Sequence, residues 1–333
     1  MKRLVLIDGN AILHRAYHAL PPLTTSTGEL VNAVFGFTSM LLKVISELHP
    51  EYLAVTFDRP KPTFRQKIYV GYQAQRPVMA DELSSQIERV HEVVSTMNIP
   101  IFEVDGYEAD DVIGTLSKQA KLPTSSTKGG LRGASKTKSK NLKSKEPIET
   151  IIVTGDRDLL QLVDKNTKVY APVKGLSETV LFDEKLVEEK YGLKPSQWVD
   201  YKALKGDPSD NYSGVAGIGP KTASELLKEY GTLEKLYTHI KELPEGVAKK
   251  LSEGIEMAEM AKQLAILACD VPIKLNLPDC KVSDYDKERV IELFQKLEFR
   301  SLIPRLPGNG DFVGKQIVKE KNNQENSGQL PLL

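Results

Sequence analysis

The run Arg3-Leu4-Val5-Leu6-Ile7-Asp8 is a buried-strand pattern that leads straight into a carboxylate. Two other stretches share its form: YLAVTF at 52–57 ends at Asp58, and TIIVTG at 150–155 ends at Asp156. Ligands of an open α/β sheet bind outside the carboxyl ends of its strands, so these three aspartates are expected in one crevice. At ~4 Å and an effective dielectric near 20, each like-charge pair costs roughly 4 kcal/mol, so the cluster needs protons or bound cations. Hard carboxylate ligands suit Mg²⁺ or Mn²⁺.

Further acids lie in short motifs. GYEADDVIG (106–114) places Glu108, Asp110 and Asp111 at the start of an apolar-periodic helix, GDRDLL (155–160) adds Asp158, and KGDPSDN (205–211) adds Asp207 and Asp210. Taken singly, these acids also read as helix caps, first-turn acids or Asx-turns. Nine of them in such motifs exceed what capping requires.

The chain has 333 residues, 40% hydrophobic, with 45 basic and 45 acidic side chains, enough for one large or two ordinary domains. Zero net charge hides a local asymmetry: acids gathered at a metal site leave a basic excess elsewhere, as a phosphate-tracking protein requires. No apolar run approaches the roughly 18 residues of a membrane span, and no signal-peptide pattern opens the chain, so the expected compartment is the cytoplasm. The only two cysteines, Cys269 and Cys280, form no CxxC and read as packing residues.

Strands and helices alternate at first: strand 3–7, helices 10–19 and 31–48, strand 52–57, helix 82–97, strand 99–104, helix 108–120 and strand 149–154. A short helix from Asp158 and strands near 167–171 and 179–182 follow, and from Asp183 the pattern is helical. The expected division is a catalytic α/β domain over 1–182, a helical domain over 183–306 and a flexible tail over 307–333. Residues 124–146 carry seven Lys or Arg, one acid and almost no apolar groups, which reads as a disordered basic insertion, either solubilising or DNA-attracting.

SGVAGIGPKTASELLKEYG (213–231) is no Walker A loop, because Pro220 separates Gly219 from Lys221. Gly214, Gly217 and Gly219 fit a tight hairpin between two helices, whose amides, with Lys221 and Thr222 behind them, can hold a backbone phosphate. The run after Asp58 interleaves Arg59, Lys61, Arg65, Lys67 and Arg76 with Phe64, Tyr69 and Tyr72. That composition suits single-stranded nucleic acid, and equally a solvated loop.

Together, LVLIDGN, VTFDRPKPTFR, GYEADDV, TGDRDL, GDPSDN and GVAGIGPKTA, in this order, resemble the 5′-nuclease (5′-3′ exonuclease) domain of bacterial DNA polymerase I and its flap-endonuclease relatives. The resemblance implies a PIN-like, mostly parallel sheet, a helical arch over about 60–97, and a helix-hairpin-helix (helix-three-turn-helix) element holding K⁺. It implies that Asp8, Asp58, Glu108, Asp110 and Asp111 serve a first Mg²⁺ or Mn²⁺, and Asp156, Asp158, Asp207 and Asp210 a second, some through water. Arg65 in the arch and Arg15 behind the metals resemble phosphate-contacting residues, and Arg76 an arch cation.

The implied activity is structure-specific cleavage of 5′ flaps, nicks and RNA-primed ends in primer removal and repair, beside a separate DNA polymerase. Two other readings carry fewer of these motifs: a PIN-type ribonuclease toxin lacks the helical hairpin, and a decayed junction-binding protein would not keep all nine acids. The chain departs from the family where GYQAQR (71–76) puts Gln73 at the position of the arch lysine. At the carboxyl end, Gln329, Leu330, Leu332 and Leu333 of QLPLL resemble a peptide that docks on a sliding clamp, and equally a linker remnant.

Overall fold

The computed structural model describes residues 2–121, 148–282 and 284–307. The basic insertion, all of the tail beyond Pro307 and the clamp-like peptide lie outside the described residues. Six strands form one sheet in the order β3-β2-β1-β4-β5-β6: β1 Arg3–Asp8, β2 Tyr52–Thr56, β3 Ile101–Phe102, β4 Glu149–Val153, β5 Thr167–Lys174 and β6 Glu178–Phe182. All pairings are parallel except the β5–β6 hairpin. From β1 the chain winds out through β2 and β3, then crosses back to β4 on the other side. The switch point therefore falls between β1 and β4, where Ile7 pairs with Val153, and Asp8 and Asp156 leave the sheet there.

The helices are α1 Gly9–Ala19, α2 Asn32–Leu48, α3 Phe64–Ile68, α4 Asp81–Ser84, α5 Ile87–Thr96, α6 Ala109–Lys121, α7 Glu184–Tyr191 and α8 Trp198–Lys205. After a small hairpin, β7 Gly206–Asp207 with β8 Tyr212–Ser213, come α9 Pro220–Tyr230, α10 Leu233–Thr238, α11 Glu245–Glu253, α12 Ile255–Ala265 and α13 Lys287–Lys296. β1 buries both faces, which explains its unbroken apolar run: Val5 and Ile7 face a core with α1, α2, α5 and α13, while Leu4 and Leu6 face one with α6. A third core, including Leu204, Val215, Ile218, Leu227 and Leu251, belongs to the helical part alone.

Three expectations about the fold need correction. The helical domain does not run to 306, because Val290, Leu293, Phe294, Phe299, Leu302 and Leu306 return to the sheet's first core. The helix expected over 82–97 breaks between Ser84 and Ile87. There the buried Gln86 carboxamide accepts hydrogen bonds from Ala33 N (2.8 Å) and Val34 N, capping α2, whose own N-cap residue Val31 has no side-chain acceptor. α5 packs Val90, Val93 and Val94 into the first core, so the segment that can stand over the cleft ends near Ser84 rather than 97. Among the described residues no helix is long and apolar enough to cross a membrane.

Candidate active site

The acids gather above the sheet's switch point. Asp8 ends β1 and caps α1: its Oδ1 accepts from Ala11 N at 2.9 Å and its Oδ2 from Thr154 Oγ1 at 2.7 Å. Asp58, two residues beyond β2, accepts from Ala109 N at 2.7 Å, and its own amide donates to Asn10 Oδ1. The capping reading and the functional reading thus hold together for Asp8, because a strand that ends in an N-cap points its carboxylate at the crevice. Asp110 sits in the first turn of α6, and Asp156 Oδ1 accepts from Asp158 N at 2.8 Å. One cleft of about 1040 Å³ is lined by Asp8, Asp58, Glu108, Asp110, Asp156, Asp158 and Asp210, with Asn10, His14, Gln73 and Arg76 on its walls.

Four of these acids, Asp8, Asp58, Asp110 and Asp156, lack a counter-charge among the described residues. Burial raises the Asp8, Asp58 and Asp110 carboxyls above the ordinary range, and neighbouring acids raise them further. Burial pushes Glu108 up to about 7 although Arg65 opposes it. Among the described residues none of the ion pairs involves Asp8, Asp58, Asp110 or Asp156. A clustered all-oxygen donor set in a cleft is a fitting host for hard divalent cations, which supply the missing positive charge.

A second group forms beside it. Carboxylate oxygens of Asp158, Asp207 and Asp210 lie within 4.8 Å of one another. Asp207 and Asp210 are delivered by the β7–β8 hairpin, which packs so closely that a Cβ on Gly214 would meet Gly206 N at 2.3 Å. Asp210 Oδ1 accepts from Arg76 Nη2 at 2.8 Å and Gln73 Nε2 at 3.1 Å, and Asp210 O accepts from Gln73 N at 2.9 Å. Asn211 Nδ2 donates to Gly71 O at 2.7 Å, so the segment over the cleft is tied to the hairpin. Buried Lys202 on α8 pairs with both Asp158 and Asp207. Burial raises the Asp158 carboxyl despite Lys202, whereas at Asp207 burial is overcome by Lys202 together with the hydrogen bonds from Ser209, and the group is held low.

Several expected site residues have other roles in the fold. Arg65, with 1% of its side chain exposed, makes a fork to Asp111 at 2.7 and 2.8 Å and donates to Leu264 O and Ile266 O at 2.9 Å. Asp111 also accepts from Glu108 N and Ala268 N. The pair therefore fastens α3 and α6 to the end of α12, and neither partner is free for a phosphate or a cation. Tyr72 is buried, with its hydroxyl donating to Glu108 and Asp210, so it offers no face for base stacking. Phe64 packs against Tyr107 (5.9 Å between centroids) and lies under the Arg65 guanidinium.

Lys61 pairs with Asp105 at 2.6 Å on the surface, a solvent-screened contact that exchanges readily. Lys67 is exposed, and Arg15 donates to Gly175 O at 2.7 Å. In the hairpin between α8 and α9, Gly217 takes φ +77° and Gly219 caps α9 ahead of Pro220. Lys221 is exposed and Thr222 half-buried in the first turn of α9.

The sequence reading did not find Lys202 or Thr154. Lys202 carried a signal: it lies four residues from Trp198, on the face that α8 buries, where an unpaired lysine is rare.

Residues 3–128 match the family model described as 5′-3′ exonuclease, N-terminal resolvase-like domain, and residues 193–288 the model described as 5′-3′ exonuclease, C-terminal SAM fold. The chain is 40% identical over 323 residues to a DNA polymerase I of Caldicellulosiruptor bescii, covering 96% of this chain and 35% of that protein. It is 37% identical to a DNA polymerase I of Bacillus subtilis, covering 92% and 32%. The chain thus spans about a third of the length of these relatives. Its fold is similar to that of the T5 D15 protein co-crystallised with metal ions (TM-score 0.61, 15% identity, 90% and 99% of the chains covered). It also resembles the catalytic core of Rad2 in complex with a DNA substrate (TM-score 0.55, 16% identity, 92% of each chain).

Proposed function

The chain is a nuclease of the 5′-3′ exonuclease family, and we propose that it hydrolyses DNA phosphodiesters at 5′ ends and flaps with two divalent cations in its carboxylate cleft. The observation that carries this reading is the convergence of acids in one cleft at the sheet's switch point, with Asp8, Asp58, Asp110 and Asp156 in none of the ion pairs among the described residues, beside the hairpin that leads into α9. Asp8, Asp58, Glu108 and Asp110 would hold the first cation, Asp158, Asp207 and Asp210 the second, with Asp156 between them. Asp111 is not in the set, because Arg65 holds it. When bound, Mg²⁺ or Mn²⁺ supplies Lewis acidity for the attacking water and for the leaving 3′ oxygen, so no protein nucleophile is required.

The protein's own part is binding and orientation. Arg76 and Gln73 stand on the cleft wall, donating to Asp210, and are the side chains placed to donate to a phosphate there. The Gly217–Gly219 amides, with Lys221 and Thr222, would hold the duplex backbone, and carbonyls of the same turn suit K⁺. Family membership supports primer removal and repair as its setting, with a DNA polymerase and, through the QLPLL peptide, a sliding clamp as proposed partners. The test is incubation of the purified protein with a 5′-flap substrate in Mg²⁺ or in EDTA. Release of short 5′ products in Mg²⁺ alone is expected, and binding without cutting would return the chain to a junction-binding role.

Two smaller predictions arise here. Glu108 has its folded carboxyl raised from 4.5 to about 7, so its contribution to stability is present below pH 4.5 and is lost as pH rises through 7. Stability of the metal-free protein should fall across that window by up to roughly 3 kcal/mol, while the gain from Mg²⁺ grows as the ligands ionise. Melting curves from pH 5 to 8, with and without Mg²⁺, check both slopes; parallel curves would remove Glu108 from the set.

Gln73→Lys should raise the single-turnover rate by about tenfold or more, since one well-placed electrostatic donor is typically worth about 10²–10³-fold. An unchanged rate would mean that Arg76 already supplies the charge. In that case Arg76→Ala should collapse it.

A further inference from the structure

The two carboxylate groups differ in one respect that bears on how they fill. In the first group only Glu108 has an ion-pairing side chain, Arg65 at 3.2 Å, and Asp8, Asp58 and Asp110 have none among the described residues, whereas every acid of the other group already has one. Arg76 lies on Asp210, and Lys202, with 9% of its side chain exposed, reaches between Asp158 and Asp207. Unlike Arg76, which is half exposed, the Lys202 ammonium is enclosed and cannot swing into water without leaving both acids.

We propose that Lys202 is the resident counter-ion of the Asp158–Asp207–Asp210 group, so that a divalent cation enters there only by displacing its ammonium and binds more weakly than at the other group. This rests on the two-cation reading above. A divalent ion demands carboxylate oxygens at about 2.0–2.1 Å in near-octahedral array, and an ammonium between the same two acids takes those lone pairs. The two positive charges would also repel within contact distance in a partly enclosed site. In return, Lys202 spares the metal-free fold two enclosed acids without a counter-charge, Asp158 and Asp207.

The experiment is Mn²⁺ titration of the full chain without DNA, read by calorimetry and by electron paramagnetic resonance of free Mn²⁺, for wild type, Lys202→Met and Lys202→Gln. Methionine keeps an aliphatic stem without charge; glutamine keeps donors for Asp158 and Asp207, so one of the two remains informative if the other fails to fold. Wild type should show a tight and a weak class of ion. Removing the competing charge should tighten the weak class by about tenfold or more and leave the tight class within about twofold.

Metal-free Lys202→Met should also melt lower than wild type and recover with Mn²⁺. Lys121→Met, which removes a lysine paired with the distant Asp164, should leave both classes unchanged. A weak class that is unaltered or weaker in both Lys202 variants overturns the proposal while leaving the two-cation reading intact. Absence of any Mn²⁺ binding by wild type overturns both.

Discussion

Changing Asp110 to asparagine is expected to abolish cleavage and, at the same time, to raise the melting temperature of the metal-free protein. Asp110 is the acid whose neighbours are most uniformly hostile: burial raises its carboxyl well above the ordinary range, and Asp156, Asp8, Asp58 and Glu108 all add to the effect. Each pKa unit of such a shift corresponds to about 1.4 kcal/mol against the charged form, so a neutral amide of the same shape relieves strain at pH 8. The loss of a first-turn acid on α6 works the other way, but at about 0.3–1 kcal/mol it is the smaller effect.

For a chain of this size each kcal/mol moves the midpoint by about 2–4 °C, so the gain is measurable. The same substitution removes an anionic ligand from the first cation, and a loss on the order of 10³-fold or more in single-turnover rate is expected. Melting in EDTA and in Mg²⁺, beside single-turnover cleavage of a flap, checks both signs. A near-normal rate, or a metal-free protein that melts lower, would remove Asp110 from the site.

What the sequence made legible was whatever depends on local pattern. Asp8, Asp58 and Asp156 could be placed because a strand with both faces buried reads as an unbroken apolar run, and an acid at its end or within three residues of it stands at the sheet's edge. The Gly214–Gly219 turn was readable because Gly214 lies against the backbone of Leu204 and Gly206 and Gly217 takes a positive φ, positions that admit few residue types. What failed depends on partners far away in the chain. Arg65 and Tyr72 sit in a run whose composition suggests an exposed nucleic-acid surface, yet Arg65 is claimed by the carbonyls of Leu264 and Ile266, about 200 residues on.

Composition cannot report such pairing, and a buried arginine has the same letter as an exposed one. The return of α13 to the first core was hidden for the same reason: its amphipathic pattern fixes that it packs, and nothing local says against what. Lys202 lay between the two cases, since its place on the buried face of α8 was visible but its two acid partners were not.

The largest stability effect is expected at Arg65. Replacing it with methionine keeps much of the volume and removes the fork, leaving Asp111, with none of its side chain exposed, as an unpaired buried charge beside Glu108. Breaking a buried pair from one side typically costs about 3–5 kcal/mol, and each carbonyl left without its donor adds about 1–3 kcal/mol before relaxation. Lysine would not rescue it, because one ammonium cannot reach both Asp111 oxygens and the carbonyls of Leu264 and Ile266 in the plane that the guanidinium fills.

The double variant Arg65→Met with Asp111→Leu should recover part of the loss, since no buried charge is then left alone, although Glu108 N and Ala268 N lose their acceptor. Urea unfolding of the two single variants and the double, closed as a thermodynamic cycle, measures the coupling. Flap affinity of Arg65→Met, taken at a temperature where it remains folded, should stay within a few-fold of wild type. If stability instead falls by less than about 1 kcal/mol while DNA affinity drops sharply, the residue faces a phosphate in solution, as the composition of its neighbourhood suggested, and the buried fork is not its working state.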